Sequence, residues 1–127
     1  MANNPRAFDA RAREARQLAY EATTTLGRRY SRVAEIGISL QFTLPDGKPH
    51  SSPHRRLFTP DMQAFFDVQC TDRDCSDGGF DLSLAVDSAV RSDRHEGAGH
   101  LRCRGTRSRQ ECGIALDYAV SVQMRQD

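Results

Sequence analysis

Four cysteines, Cys70, Cys75, Cys103 and Cys112, are the residues of this chain best suited to chemistry. Thiolates are ligands of choice for closed, tetrahedral zinc sites, which are structural rather than catalytic. Such ligands come in pairs because a tight turn aims two side chains at one point. Cys70 and Cys75 have the spacing of a first pair, and Gly78 and Gly79 follow them, letting the backbone pass close to an ion. Cys103 and Cys112 are further apart, but both sit at facing ends of two expected strands, where a hairpin brings side chains together. The four therefore read as one structural zinc site. Two disulfides are the alternative in an oxidising compartment. His95 and His100 are rival ligands, although a residue three positions before Cys103 on a strand points to the opposite face.

Nothing else in the chain forms a catalytic constellation. Arg102 and Arg104 flank Cys103 and would favour a thiolate, yet the pattern around Cys103 is that of a half-buried strand, and Cys70 and Cys75 are not a C-x-x-C redox pair. Asp72, Asp74, Asp77 and Asp81 gather carboxylates, but Ser76 stands where a calcium loop needs a ligand. His50 and His54 fall in a polar loop. A thiol- or metal-dependent enzyme is thus a minor alternative.

Charge placement says more than the net charge of +1. Arginine outnumbers acids over residues 1–35, acids outnumber arginine over residues 66–96, and Arg102, Arg104, Arg107 and Arg109 then cluster within eight residues around and beyond Cys103. Guanidinium groups held on a hairpin loop suit phosphate. No aromatic residue lies nearby for base stacking, which limits any nucleic-acid contact to the backbone. If the acidic turn at Asp72–Asp77 neutralises these arginines, a protein partner is the better expectation.

The elements that must position these groups follow from periodicity. Ala, Arg, Glu and Gln without Pro or Gly from Ala7 to Leu26 predict a helix over residues 6–34, opened by Pro5 and carrying the stripe Leu18, Ala22, Leu26, Tyr30 and Val33. The stripe is narrow for so long an element, so the helix should pack mainly through its C-terminal half, and its first turns are a candidate homo-oligomer contact. Residues 36–44 alternate as a half-buried strand ended by Pro45-Asp46-Gly47. Residues 45–60, with four prolines, read as a loop. Strands are expected at 65–70, 100–104 and 113–124, with a helix over 83–93 capped by Asp81 or Ser83 and a break at Gly97-Ala98-Gly99.

Together these give an α+β domain: a small antiparallel sheet of about four strands with one packed helix, an N-terminal helix over 1–35, and a zinc-stabilised portion over 36–127. With 38% hydrophobic residues in 127, the core is thin and a metal staple would help it. Met1–Asn4 does not open a signal peptide, and no stretch approaches the roughly 20 apolar residues of a membrane span. The expectation is a cytoplasmic chain without a membrane partner, where reducing conditions favour metal over disulfides.

The cysteines, the run Asp77-Gly78-Gly79-Phe80-Asp81-Leu82 and the segment Cys103-Arg104-Gly105 resemble those of small uncharacterised bacterial proteins with a zinc-ribbon-like four-cysteine core, over residues 65–122. That resemblance implies a structural metal and no activity. The expected function is a non-enzymatic, zinc-stabilised binding or adaptor module, with nucleic-acid binding through the Arg102–Arg109 loop as the alternative.

Overall fold

The computed structural model describes residues 5–72 and 74–126, with side chains from Ala10 onward. Helix α1 (Pro5–Ala22) is followed by the short α2 (Leu26–Arg29), then strands β1 (Val33–Thr43), β2 (His54–Phe58), β3 (Asp67–Val68) and β4 (Phe80–Asp81). Helix α3 (Ser83–Arg91) leads into β5 (Glu96–Arg102), β6 (Thr106–Arg107), β7 (Gln110–Glu111) and β8 (Ala115–Met124). The main sheet is antiparallel in the order β2-β1-β8-β5; β3-β4 and β6-β7 form two small ribbons. The α+β expectation holds, with a four-stranded sheet, one packed helix and an N-terminal helix.

The alternation read in the sequence explains the central pair. Ile36, Ile38, Leu40 and Phe42 of β1 and Leu116 and Val120 of β8 are buried on one face, while Ser39, Asp117, Ala119 and Ser121 are exposed on the other. In register, Ile38 faces Val120 and Phe42 faces Leu116. Val86 and Ala89 of α3 and Leu82 cover this face near β8 and β5. Phe66, Val68 and Phe80 from the β3-β4 ribbon cover the rest, with Phe80 5.7 Å from Phe42 and Phe66 5.0 Å from Phe58 between ring centroids. Leu82, rather than the expected Asp81 or Ser83, stands at the N-cap of α3 and makes no side-chain cap bond; Asp81 just before it accepts from the Ser83 N–H at 3.0 Å and the Ser83 hydroxyl at 2.6 Å.

Five sequence expectations give way to tertiary context. The helix over 6–34 stops at Ala22, where Thr23-Thr24-Thr25 interrupts it: Thr23 Oγ1 donates back to the Ala19 carbonyl at 2.7 Å, and Thr25 caps the separate α2. Leu18 is 60% exposed and Ala22 is exposed, so within α1 the expected stripe is not the packing face, whereas Leu26 and Val33 beyond its end are fully buried. Instead α1 docks through Arg16, which lies 5.0 Å over the Phe65 ring, and Tyr20, edge-on to Phe65 at 5.6 Å. The loop over 45–60 contains β2, whose His-Arg-Arg-Leu-Phe sequence is polar because it is an edge strand with only Phe58 buried. The expected strand at 65–70 shortens to Asp67–Val68. Gly97 and Gly99 do not break the chain but sit within β5, where Tyr118 lies over Gly99 and leaves no room for a side chain.

Candidate metal centre

The four cysteines reach one point from four different turns. Cys70 follows β3, Cys75 lies within the acidic turn before β4, Cys103 follows β5, and Cys112 follows β7. Two turns are stitched together by a bridge in which the Ser76 N–H donates to the Thr106 carbonyl at 2.8 Å and the Thr106 N–H returns to Ser76 at 3.0 Å. The Cys112 N–H donates to the Gly105 carbonyl at 3.1 Å, and the Cys103 N–H to Ile114 at 2.9 Å. The sulfur-bearing segments are therefore placed by main-chain bonds to one another as well as by the core beneath.

All four sulfurs lie within 4.8 Å of one another. Cys70 and Cys112 are 3.6 Å apart, as are Cys75 and Cys103, and the cysteines are free thiols rather than disulfides. A tetrahedron with metal–sulfur bonds of about 2.3 Å has sulfur–sulfur edges of about 3.8 Å, so the cluster has the dimensions of a four-thiolate metal site. Backbone amides point at the sulfurs, as they would at anionic ligands. The Gly79 N–H lies 3.3 Å from Cys103 Sγ, Gly105 N–H lies 3.4 Å from the same sulfur, and Asp72 N–H lies 3.4 Å from Cys70 Sγ.

Without a cation, Cys70 and Cys75 resist ionisation. Burial, with the neighbouring thiols adding to it, pushes the Cys70 pKa up to about 12 and raises that of Cys75 further. Burial also opposes the Cys103 thiolate, but the N–H groups of Gly105 and Gly79 and the thiols of Cys75 and Cys70 outweigh it and lower its pKa. The Cys103 sulfur is thus prepared for negative charge, while Cys70 and Cys75 would need a nearby cation to ionise.

Two glycines make the convergence possible. A methyl group on Gly78 would collide with Cys75 Sγ and come within 2.9 Å of Cys103 Sγ. One on Gly105 would lie 2.5 Å from Cys75 Sγ and 2.5 Å from the Gly78 Cα. Gly78 belonged to the sequence reading of the first pair; the role of Gly105 escaped it, because nothing in Cys103-Arg104-Gly105 says that this backbone runs against Gly78.

The histidines stand apart. His100 Nδ1 lies 2.7 Å from Asp117 on the exposed face, and His95 Nδ1 is 3.2 Å from the Val90 carbonyl; neither belongs to the sulfur cluster. His50 bonds Thr71 at 2.6 Å, and His54 stacks on Phe42.

The arginines divide. Arg104 turns away from the strand line and donates to Asp67 at 2.8 Å. Arg107 reaches Asp72 at 3.3 Å and Asp74 at 3.4 Å. Arg102 is exposed on the outer face of β5, and Arg109 is exposed at the β6-β7 tip; neither forms an ion pair among the described residues. Ser108 and Arg109 both have positive φ, 49° and 68°, as a two-residue hairpin turn requires, without the glycine or asparagine that usually relieves it.

No helix among the described residues is long and apolar enough to cross a membrane. No protein-family model matches the chain, and neither the curated proteins nor the solved structures contain a significant match to it.

Proposed function

We propose that the chain is a non-enzymatic, zinc-stabilised binding or adaptor module of the cytoplasm, with a protein as its partner. The observation that carries the metal reading is the cluster of four sulfurs within 4.8 Å. Four thiolates at tetrahedral spacing are a standard ligand set of structural zinc, and four sulfurs fill its coordination, leaving no position for an activated water or a substrate. Cys70, Cys75, Cys103 and Cys112 are then structural ligands in the manner of a zinc ribbon. The preference for a protein over a polyanion rests on the carboxylates of Asp67, Asp72 and Asp74, which already engage Arg104 and Arg107.

A second reading, binding of a nucleic-acid backbone through the Arg102–Arg109 loop, is favoured by the two arginines of that loop that carry no described ion pair. The two readings separate in one experiment. The protein is first shown by native mass spectrometry to carry one zinc, then titrated against a fluorescent oligonucleotide at rising salt. A module for protein partners gives no anisotropy change even at low salt. A phosphate-binding loop gives an affinity that falls steeply with salt, with a log–log slope that Arg102→Ala and Arg109→Ala together reduce by about two. A zinc ion with an exchangeable water, seen as a coordination number of sulfur below four in X-ray absorption, would instead favour metal-dependent chemistry.

A further inference from the structure

The outer edge of β5 is an open strand. Nothing among the described residues pairs with it. The opposite edge of the sheet, β2, follows Pro53 and carries Arg55 and Arg56, common protections against edge pairing. Strand β5 has no proline and no bulge in its register with β8, and its two charges, Glu96 and Arg102, are of opposite sign.

Its hydrogen-bonding groups can be assigned. The Cys103 N–H donates to the Ile114 carbonyl and the Val122 N–H donates to the His95 carbonyl, so odd-numbered residues of this segment face β8. An antiparallel ladder alternates, which leaves the N–H and C=O of Glu96, Ala98, His100 and Arg102 pointing away from the sheet. These same residues lie opposite Ser121, Ala119 and Asp117, which are exposed, and Ala115, which is buried.

The strand is complementary to itself about Gly99. We propose that two copies of the chain pair antiparallel through β5, with the two-fold axis at Gly99, to make one continuous sheet. In this register every outward main-chain group is used: Glu96 bonds with Arg102 of the second copy and Ala98 with His100 of the second copy, and the symmetry repeats both pairs. Glu96 and Arg102 then stand directly opposite with opposite charges at both ends of the interface. Ala98 leaves room beside the larger His100. At the axis the two Gly99 residues approach as a close, non-hydrogen-bonded pair, where the lack of a side chain matters most. On the inner face Leu101 meets Gly97 of the second copy, and the space there is open: a methyl group on Gly97 would meet only the Ala89 Cβ, at 4.0 Å. Shifting the register by two residues in either direction loses both the charge pairing and a pair of main-chain bonds. The complementarity of charge, backbone direction and side-chain size is what selects a second copy as the occupant.

The test is sedimentation velocity on the full-length, zinc-loaded chain from about 1 to 100 µM, with far-UV circular dichroism and zinc content measured on each variant. The wild type is expected to show a concentration-dependent dimer. Ala98→Pro removes an N–H that points away from β8, so the fold should survive and the dimer should vanish. Glu96→Arg places like charges opposite each other at both ends and should weaken the dimer by about tenfold or more. The double variant Glu96→Arg, Arg102→Glu restores opposite charges and should restore the dimer. A wild type that stays monomeric throughout overturns the proposal. So does a dimer indifferent to these changes, which would lie on another surface such as α1. If Ala98→Pro unfolds, the charge reversal and its rescue decide alone. Zinc content reports separately on the metal reading, so one proposal can fail without the other.

Discussion

Arg107 in the hairpin holds Asp72 in the first cysteine turn at 3.3 Å, so the two halves of the sulfur cluster are joined outside the cluster as well as within it. Asp72 also turns its backbone N–H toward Cys70 Sγ. The rim of the metal centre is therefore a set of charges already matched to one another, and the sulfurs beneath must meet in a frame fixed by main-chain bonds.

Substitution of a ligand and substitution of a glycine should be told apart by their chemistry. Cys112→Ser removes one thiolate and should abolish stoichiometric zinc in native mass spectrometry, with a stability loss of about 3 kcal/mol or more. Gly105→Ala keeps every sulfur yet drives a methyl group into Cys75 Sγ. It should also lower zinc occupancy and the melting temperature. Full occupancy in Gly105→Ala would show that the sulfur-bearing turns can part without losing the ion.

The pH dependence should reverse with the metal. In the metal-free chain, burial raises the Cys70 pKa to about 12 and raises Cys75 further, against about 8.5 for a free thiol. Their contribution to stability is present below the unfolded value and is lost as pH rises toward the folded one. With zinc bound the sulfurs are thiolates and protons compete with the ion, so stability is lost as pH falls. Above the free-thiol value, where the lowered Cys103 no longer titrates, melts with chelator should therefore lose stability as pH rises, while melts without chelator should lose it only as pH falls. Parallel slopes would exclude a metal held by these thiols.

Asp67 joins α1 to the metal end. Its carboxylate accepts from Arg16 and, at 2.8 Å, from Arg104, while its carbonyl accepts from Arg16 at 2.7 Å. Asp67→Ala leaves two guanidinium groups without their partner and should cost about 1–3 kcal/mol. Amide exchange over residues 16–22 should quicken while the protection of β8 is unchanged. By contrast, removal of residues 1–14 should leave the melting temperature nearly unaltered, because residues 10–14 are exposed.

The β6-β7 tip holds two residues in left-handed conformation. Replacing Ser108-Arg109 with Asn-Gly should stabilise the hairpin by about 0.5–1 kcal/mol, measured by denaturant titration. A loss of stability would show that Arg109 makes a contact that outweighs its backbone strain.

Legibility followed burial. Strands β1 and β8 were readable because each has one wet and one dry face, and α3 because its apolar side repeats at helical spacing. The sulfur cluster was readable because thiols are few and their pairing is constrained by turns. Strand β2 was hidden because an edge strand buries one residue and shows no alternation. The end of α1 was hidden because no Pro or Gly marks it, while Thr23 and Thr25, which end it, act through local side-chain hydrogen bonds. The partition of the arginines depended on Asp67, which lies far from them in the chain.

The pairing of β1 with β8 sets the order in which the chain can become native. Thr43 pairs with Ala115 and Val33 with Met124, so more than half of the sequence must leave the ribosome between the two central strands. Until then Ile36, Ile38, Leu40 and Phe42 have only β2 beside them. Cys70 and Cys75 likewise emerge before Cys103 and Cys112. The nascent chain thus carries an uncovered apolar ribbon and half an ion site at once, and its long-range closure makes folding slow compared with a helical domain of similar size. Stalled chains ending before residue 113 should bind holdase chaperones that the finished chain escapes.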